Sequence, residues 1–79
     1  MVTKAYILIE TNVGKSREVA AKLIALGGVG TVDAVTGPYD IIAVVEANDL
    51  NAIGELVTSS IHTIDGIVRT VTCLSVASA

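Results

Sequence analysis

Val35-Thr36-Gly37-Pro38-Tyr39-Asp40-Ile41-Ile42-Ala43-Val44-Val45 joins a Gly-Pro turn to a run of five apolar residues. Gly37 is free to take positive φ, and Pro38 fixes its own φ near about −65°. The pair presets a tight turn, which makes the segments on either side neighbours in an antiparallel hairpin. Tyr39 and Asp40 are thereby held at the mouth of a buried strand rather than on a floppy loop. A carboxylate fixed there suits a small ammonium-bearing ligand, because a charge-assisted contact strengthens in a partly dry crevice. It equally suits a capped turn, in which Asp accepts hydrogen bonds from nearby amides. The turn alone leaves both readings open.

Seventy-nine residues make one domain, spanning residues 1–79, and a chain of this size buries only roughly 60% of its unfolded surface. Its composition is 52% hydrophobic, with a mean hydropathy of +0.72 and 16% charged residues, against about 25% charged in ordinary domains. One small core cannot hide that much Val, Ile, Leu and Ala. The excess is expected in a subunit interface, so a homo-oligomer is expected.

The net charge is −3, and the basic residues Lys4, Lys15, Arg17, Lys22 and Arg69 form no patch along the chain. That field repels phosphate backbones, so direct nucleic-acid binding is not expected. Cys73 is the only cysteine and His62 the only histidine. This leaves no disulfide framework and no Cys- or His-based metal site; no cofactor is expected, and a reducing compartment fits. The apolar run Ala5–Ile9 ends at Glu10, too short for a signal peptide or a membrane span. A cytoplasmic location without membrane contact is the expectation.

A gap-free shift of the sequence by 36 residues aligns Glu10 with Glu46, Asn12 with Asn48, Gly30 with Gly66, Val32 with Val68, Val35 with Val71, and Thr36 with Thr72. The apolar runs Tyr6–Ile9 and Ile42–Val45 superpose in the same register. Two copies of one unit explain this. Each unit reads strand, helix, strand. The first has a strand at Thr3–Glu10, a helix at Lys15–Leu26 with Val19, Ala20, Leu23 and Ile24 on its apolar face, and a strand at Gly30–Thr36. Gly27-Gly28 ends the helix. The second has a strand at Asp40–Ala47 and a helix capped by Asn48 or Asp49 that runs through about Ser60. Leu50, Ile53, Val57 and Ile61 form that helix's apolar face. A loop at Thr63–Gly66 leads to a last strand at Ile67–Val76, with Ala77-Ser78-Ala79 frayed.

Two such units joined by the Gly-Pro turn give βαββαβ, an α+β ferredoxin-like sandwich: a four-stranded antiparallel sheet with two helices on one face. The first and third strands, apolar nearly throughout, are expected in the middle of the sheet with both faces covered. The helices cover one face. A second subunit is expected on the other, sheet to sheet, closing a dimeric α+β barrel.

The order of these features resembles the effector-binding domain of the Lrp/AsnC family of transcription regulators, the RAM domain. The resemblance lies in Glu18-Val19-Ala20, Gly28-Val29 to Val35, the Val35–Ile42 block, Asn48-Asp49-Leu50, and Ile64-Asp65-Gly66-Ile67-Val68-Arg69-Thr70. It covers nearly the whole chain, and the Val-Thr-Gly-x-Tyr-Asp block is its most specific part. The resemblance implies dimers that assemble into rings, often octamers, with free amino acids bound at contacts between dimers. Family members usually carry an N-terminal DNA-binding domain. Here the first strand begins within a few residues of Met1, so a stand-alone RAM protein is expected, with full-length Lrp/AsnC regulators as candidate partners. Asp65 stands where many relatives have proline.

With that resemblance the ligand site is expected at Gly37, Pro38, Tyr39 and Asp40, completed by Ser60, His62 and Thr63. Asp40 pairs with an α-ammonium group, Tyr39 flanks the ligand or packs at an interface, and Gly37 lets backbone approach a carboxylate. Hydroxyls and amides in Ser59–Ile64, contributed by a neighbouring subunit, bind the carboxylate. The bland alternatives are a plain turn and a solvated loop histidine. Gly27-Gly28-Val29-Gly30 follows a helix and lacks the P-loop lysine, so it reads as a helix stop. Lys4, Glu10 and Arg69 are expected in weak surface or interface ion pairs, and Cys73 as a small core residue.

Three functional classes fit this chain. An amino-acid-binding regulatory module is favoured by the Tyr39-Asp40 block. An enzyme, such as the small monooxygenases and isomerases built on dimeric ferredoxin-like folds, needs acid/base or aromatic groups inside the barrel. One His, two Tyr and no Phe or Trp supply few, so no enzyme is expected. A ligand-free oligomerisation module accounts for the apolar excess but leaves the Tyr39-Asp40 block unexplained. An amino-acid-sensing ACT domain shares the topology without accounting for the Thr-Gly-x-Tyr-Asp block.

Overall fold

A computed structural model describes residues 2–77. Strand β1 (Thr3–Thr11) is followed by helix α1 (Ser16–Ile24), strands β2 (Val29–Ala34) and β3 (Ile41–Ala47), helix α2 (Leu50–Glu55), a π-helical continuation (Leu56–Ile61) and strand β4 (Ile67–Leu74). The sheet order is β2-β3-β1-β4 with every neighbouring pair antiparallel. This is the expected βαββαβ sandwich, with the first and third strands central and the Gly-Pro turn joining a β2–β3 hairpin.

The pleat explains which apolar residues are covered. Ala5, Ile7 and Ile9 of β1 lie opposite Val45, Ala43 and Ile41 of β3, and all six are fully buried. They form the floor on which Val19 and Leu23 of α1, and Ile53, Val57 and Ile61 of the second helical stretch, make the core. Alternate residues point the other way. Tyr6, Leu8, Ile42 and Val44 therefore share the opposite face, extended by Val71 and Cys73 of β4. Tyr6 remains 38% exposed, and Leu8, Ile42, Val44 and Val71 are half-buried. The central strands are apolar on both faces, and one chain covers one of them.

Cys73, expected in the core, is exposed. It sits beside Tyr6 on this uncovered face. Lys4, expected in an ion pair, instead lies with its ammonium 5.3 Å from the centre of the Tyr6 ring, within cation–π range.

The first helix is shorter than its periodicity suggests, the second helical stretch runs on to Ile61, and in each one expected face residue is exposed. In α1 the buried stripe is Val19 and Leu23, with Ala20 and Leu26 packed against it. Ile24 is 66% exposed, because one residue past Leu23 turns the side chain by about 100°. Asp49 caps α2, its Oδ1 accepting the Ala52 amide at 2.8 Å. Leu50 opens the helix ahead of the buried stripe and is 58% exposed.

The stripe Ile53, Val57, Ile61 recurs every four residues. In an α-helix that spacing over-rotates by about 40° per step. The wider i→i+5 turn over Leu56–Ile61, closed by the His62 amide on the Val57 carbonyl at 2.8 Å, offsets the drift and keeps Ile61 fully buried.

The repeat also slips across the helical half of each unit. Gly28 (φ +90°) leads into β2 and Gly66 (φ +102°) into β4, so Gly66 answers to Gly28 rather than to Gly30. The 36-residue register holds for β1 and β3 and slips by two residues at the second strands. A Cβ at Gly66 would lie 3.0 Å from Lys15 Cβ and 3.1 Å from Val19 Cγ2, so close packing as well as φ requires glycine there. The last strand stops at Leu74 rather than Val76, and the Ser75 amide then bonds the Lys4 carbonyl at 2.9 Å. Of the expected frayed end, Ser78 and Ala79 lie outside the described residues.

Candidate functional site

The turn between β2 and β3 is closed by backbone. Val35 donates to the Asp40 carbonyl at 2.9 Å, and the Asp40 amide donates to the Ile9 carbonyl of β1 at 2.9 Å. Asp40 Oδ2 then accepts both the backbone amide of Thr11 at 2.8 Å and its hydroxyl at 3.2 Å. Thr11 is the buried polar residue of the described chain, and it stands where the β1–β4 register slips between Glu10 and Thr11. Asp40 is thus half-buried and fastened to the end of a strand 29 residues away.

Tyr39 grips the same irregularity from the other side. Its hydroxyl accepts from Arg69 Nη2 at 3.4 Å, and the Arg69 guanidinium carbon lies 5.4 Å from its ring centre. Arg69 Nε faces Glu10 Oε1 at 3.4 Å. This is the expected exposed ion pair, worth about 0–1 kcal/mol, yet it orients the guanidinium beneath Tyr39.

Two cavities adjoin these residues. One of about 420 Å³ is lined by Leu8, Val35, Thr36, Gly37, Pro38, Tyr39 and Ile42. Leu8 and Ile42 belong to the uncovered sheet face, so this cavity opens on that side. Its walls are almost wholly apolar, with the Tyr39 hydroxyl and the turn backbone supplying polar groups. Gly37 has φ +141° and nothing within 4 Å of a Cβ placed on it, leaving backbone accessible. Gly37, Pro38 and Tyr39 line this cavity. Asp40 does not line this cavity; its carboxylate turns toward Thr11.

The second cavity, about 320 Å³, is lined by His62, Ile67, Val68, Arg69 and Thr70. His62 Nε2 and the Thr70 hydroxyl share a 2.7 Å hydrogen bond. The Thr63 hydroxyl folds back onto the Ser60 carbonyl at 2.8 Å, and Ser60 is half-buried in the last π turn. Among the described residues no hydrogen bond joins the Gly37–Asp40 segment to the Ser60–Thr63 segment. Arg69 is common to both surroundings, touching Tyr39 while lining the cavity with His62.

Sequence reasoning singled out neither Thr11 nor Thr70 and gave Leu8 and Ile42 no part in the site. Leu8 and Ile42 were legible, since alternation places them on one face beside the turn. Among the described residues no group of three or more His, Cys, Asp or Glu is placed to hold a metal ion, and no helix is long and apolar enough to cross a membrane.

Comparison with solved structures places this architecture among known proteins. The hypothetical protein PHS023 from Pyrococcus horikoshii is 36% identical, with a TM-score of 0.88 over 99% of this chain and 93% of that one. AsnC from E. coli is 26% identical, with a TM-score of 0.91 over 96% of this chain and 52% of its own; the chain spans about half the length of that regulator. The transcriptional regulator NMB0573 from Neisseria meningitidis, solved as a complex with L-methionine, shares the fold at 22% identity. Its TM-score is 0.85, over 95% of this chain and 50% of its own. Comparison with curated proteins gave no match. The family model for the Lrp/AsnC ligand binding domain matches residues 4–78, and the chain belongs to that family.

Proposed function

We propose that this chain is an amino-acid-binding regulatory module that acts as a homo-oligomer and carries out no catalysis of its own. The observation that carries the reading is the cavity of about 420 Å³ under the Gly37-Pro38-Tyr39 turn, in a chain of the Lrp/AsnC ligand-binding family. Its size lies in the range of small-molecule sites, and its apolar walls with a few convergent polar groups have their usual character. The L-methionine bound by the neisserial regulator of the same fold supports an amino acid as the effector.

In this reading Gly37, Pro38 and Tyr39 form one wall, and Asp40 fixes that wall through Thr11. Ser60, His62 and Thr63, delivered by a neighbouring subunit, receive the carboxylate. A second copy covers Tyr6, Leu8, Ile42 and Val44 sheet to sheet, and dimers associate further into a ring. Co-assembly with full-length Lrp/AsnC regulators would then change their response without DNA contact by this chain. Cytoplasmic location follows from that role.

A thermal-shift screen with the twenty amino acids tests this. A ligand at a hundredfold excess over its Kd stabilises by about 2.7 kcal/mol, a plainly visible shift. A flat response to all twenty removes the effector role. A ligand-free oligomerisation module is the second reading, and the uncovered apolar face of β1 and β3 is the observation that favours it. It predicts self-association with no response to amino acids.

A further inference from the structure

The sheet has two edges, β2 and β4, and they are built differently. Unpaired backbone on an edge invites another strand unless a bulge, a charge or a covering element blocks it. β2 is blocked: its register against β3 shifts between Val29 and Thr31 around Gly30, and it carries Asp33. In β4 the register slip and the one charge, Arg69, fall at the beginning of the strand. The remainder, Thr70-Val71-Thr72-Cys73-Leu74, has no charge, proline or glycine and runs in regular register against β1. Thr70, Val71 and Thr72 are β-branched, the type that suits a strand. Thr72, Cys73 and Leu74 are exposed. The Ser75 amide bonds the Lys4 carbonyl, so Lys4 and Ser75 are a hydrogen-bonded pair of this ladder. By the alternation of an antiparallel ladder, Cys73 and Val71 also turn their amides toward β1. Thr70, Thr72 and Leu74 turn theirs outward, where among the described residues no strand meets them.

We infer that β4 pairs edge to edge with β4 of a second copy, antiparallel, about a two-fold axis at Thr72. A second copy is the occupant because the segment is complementary to itself, as a two-fold contact requires. With the axis at Thr72, the uncharged segment overlaps its own copy over its full length. Thr72 then opposes Thr72 of the second copy, Thr70 opposes Leu74, and Val71 opposes Cys73. The outward amides and carbonyls of Thr70, Thr72 and Leu74 all gain partners, and no like charges face each other. Arg69 and the cleft it shares with His62 lie beyond the paired segment. The two sheets become one continuous sheet. This contact uses an edge, whereas the pairing proposed above uses the open face, so one chain has two separate ways to meet its copy. The inference rests on the homo-oligomer reading for self-association and is independent of amino-acid binding.

The test is amide hydrogen exchange along β4 of the whole chain, read residue by residue by NMR at high and at low protein concentration. Val71 and Cys73 are bonded within the chain and should exchange slowly at both. Thr70, Thr72 and Leu74 should exchange slowly at high concentration and lose that protection on dilution. Leu8→Asp, which breaks the face, should keep this alternation. Thr72→Pro removes an outward amide without breaking a bond to β1, and Thr72→Lys sets like charges opposite each other at the axis. Both should lose the alternation and sediment as smaller species than the parent, while Thr72→Val should behave as the parent does. Fast exchange of Thr70, Thr72 and Leu74 in samples that sediment as dimers or larger would overturn the edge contact and leave face pairing standing. A clean monomer at high concentration would overturn both. Undiminished association of Thr72→Lys would also sink the edge contact. The exchange pattern of the parent needs no variant, so the outcome does not depend on Thr72→Pro folding.

Discussion

Asp40 holds Thr11 twice, through the backbone amide at 2.8 Å and the hydroxyl at 3.2 Å. The pair ties the β2–β3 turn to the end of β1 where the β1–β4 ladder slips. Because Tyr39 reaches Arg69 across the same irregularity, two adjacent turn residues clasp β1 and β4 at one point. The turn that walls the apolar cavity is therefore part of the sheet's frame.

Asp40→Ala strips the one oxygen, Oδ2, that accepts from both the amide and the hydroxyl of Thr11, which is only 9% exposed. An unsatisfied buried donor costs about 1–3 kcal/mol, so urea unfolding should show a loss of that order. Asp40→Asn keeps one acceptor oxygen and should lose less. A change below about 0.5 kcal/mol for Asp40→Ala, the range of ordinary surface substitutions, would contradict the clasp. Any ligand assay on this variant needs the fold loss measured first, since lost affinity and a loosened turn have the same appearance.

The uncovered sheet face predicts a dependence on concentration. Leu8→Asp and Val44→Lys place charge among Tyr6, Ile42 and Val71 without touching the buried set Ile7, Ile9 and Val45. Such a charge is tolerated in water and costly within an apolar interface. Sedimentation of the parent chain at micromolar concentration should give dimers or larger species, and the two variants smaller ones with folded circular dichroism. A parent chain that sediments as a clean monomer would refute sheet-to-sheet pairing.

The sheet was legible in the sequence for a local reason. A preset turn at Gly37-Pro38 and two apolar strands specify a hairpin and its central position without distant information. Helix faces were less legible. Ile24 and Leu50 fit a helical spacing but lie outside the buried stripe, whose position depends on where the sheet meets each helix. No residue type announces the π turn over Leu56–Ile61; only the wish to keep Ile53, Val57 and Ile61 on one face accounts for it. The candidate site was legible on the turn side and not on the β4 side. Thr11 and Arg69 reach Asp40 and Tyr39 through the β1–β4 register slip, a tertiary feature that no local pattern encodes.

Core truncation should separate the two faces energetically. Ile7→Ala removes a fully buried side chain from the floor beneath both helices and should cost about 2–5 kcal/mol. That effect is intramolecular, so it should persist on dilution. For Leu8→Ala, the loss measured at high concentration should shrink on dilution as self-association fades. Equal, concentration-independent losses at the two positions would mean that the open face is not an interface.

Two glycines, one just after α1 and one leading into β4, give the sharpest contrast within one residue type. Gly27 has ordinary backbone, with open space where a Cβ would go. Gly27→Ala should be neutral or stabilise by up to about 1 kcal/mol, because alanine restricts the unfolded chain. Gly66→Ala meets φ +102° and a Cβ 3.0–3.1 Å from Lys15 and Val19. The backbone term alone costs about 1–2 kcal/mol, and Val19 is fully buried in α1, so it cannot yield without disturbing the core. Gly66 also passes its amide plane to Asn12, whose amide donates to the Gly66 carbonyl at 2.8 Å. Displacing it should therefore loosen the β1–β4 irregularity that Asp40 and Tyr39 clasp. Thermal unfolding of the two variants side by side checks this, with a large fall in Tm for Gly66→Ala and none for Gly27→Ala. Similar Tm values for both would show that the loop entering β4 relaxes freely and that the clasp does not depend on it.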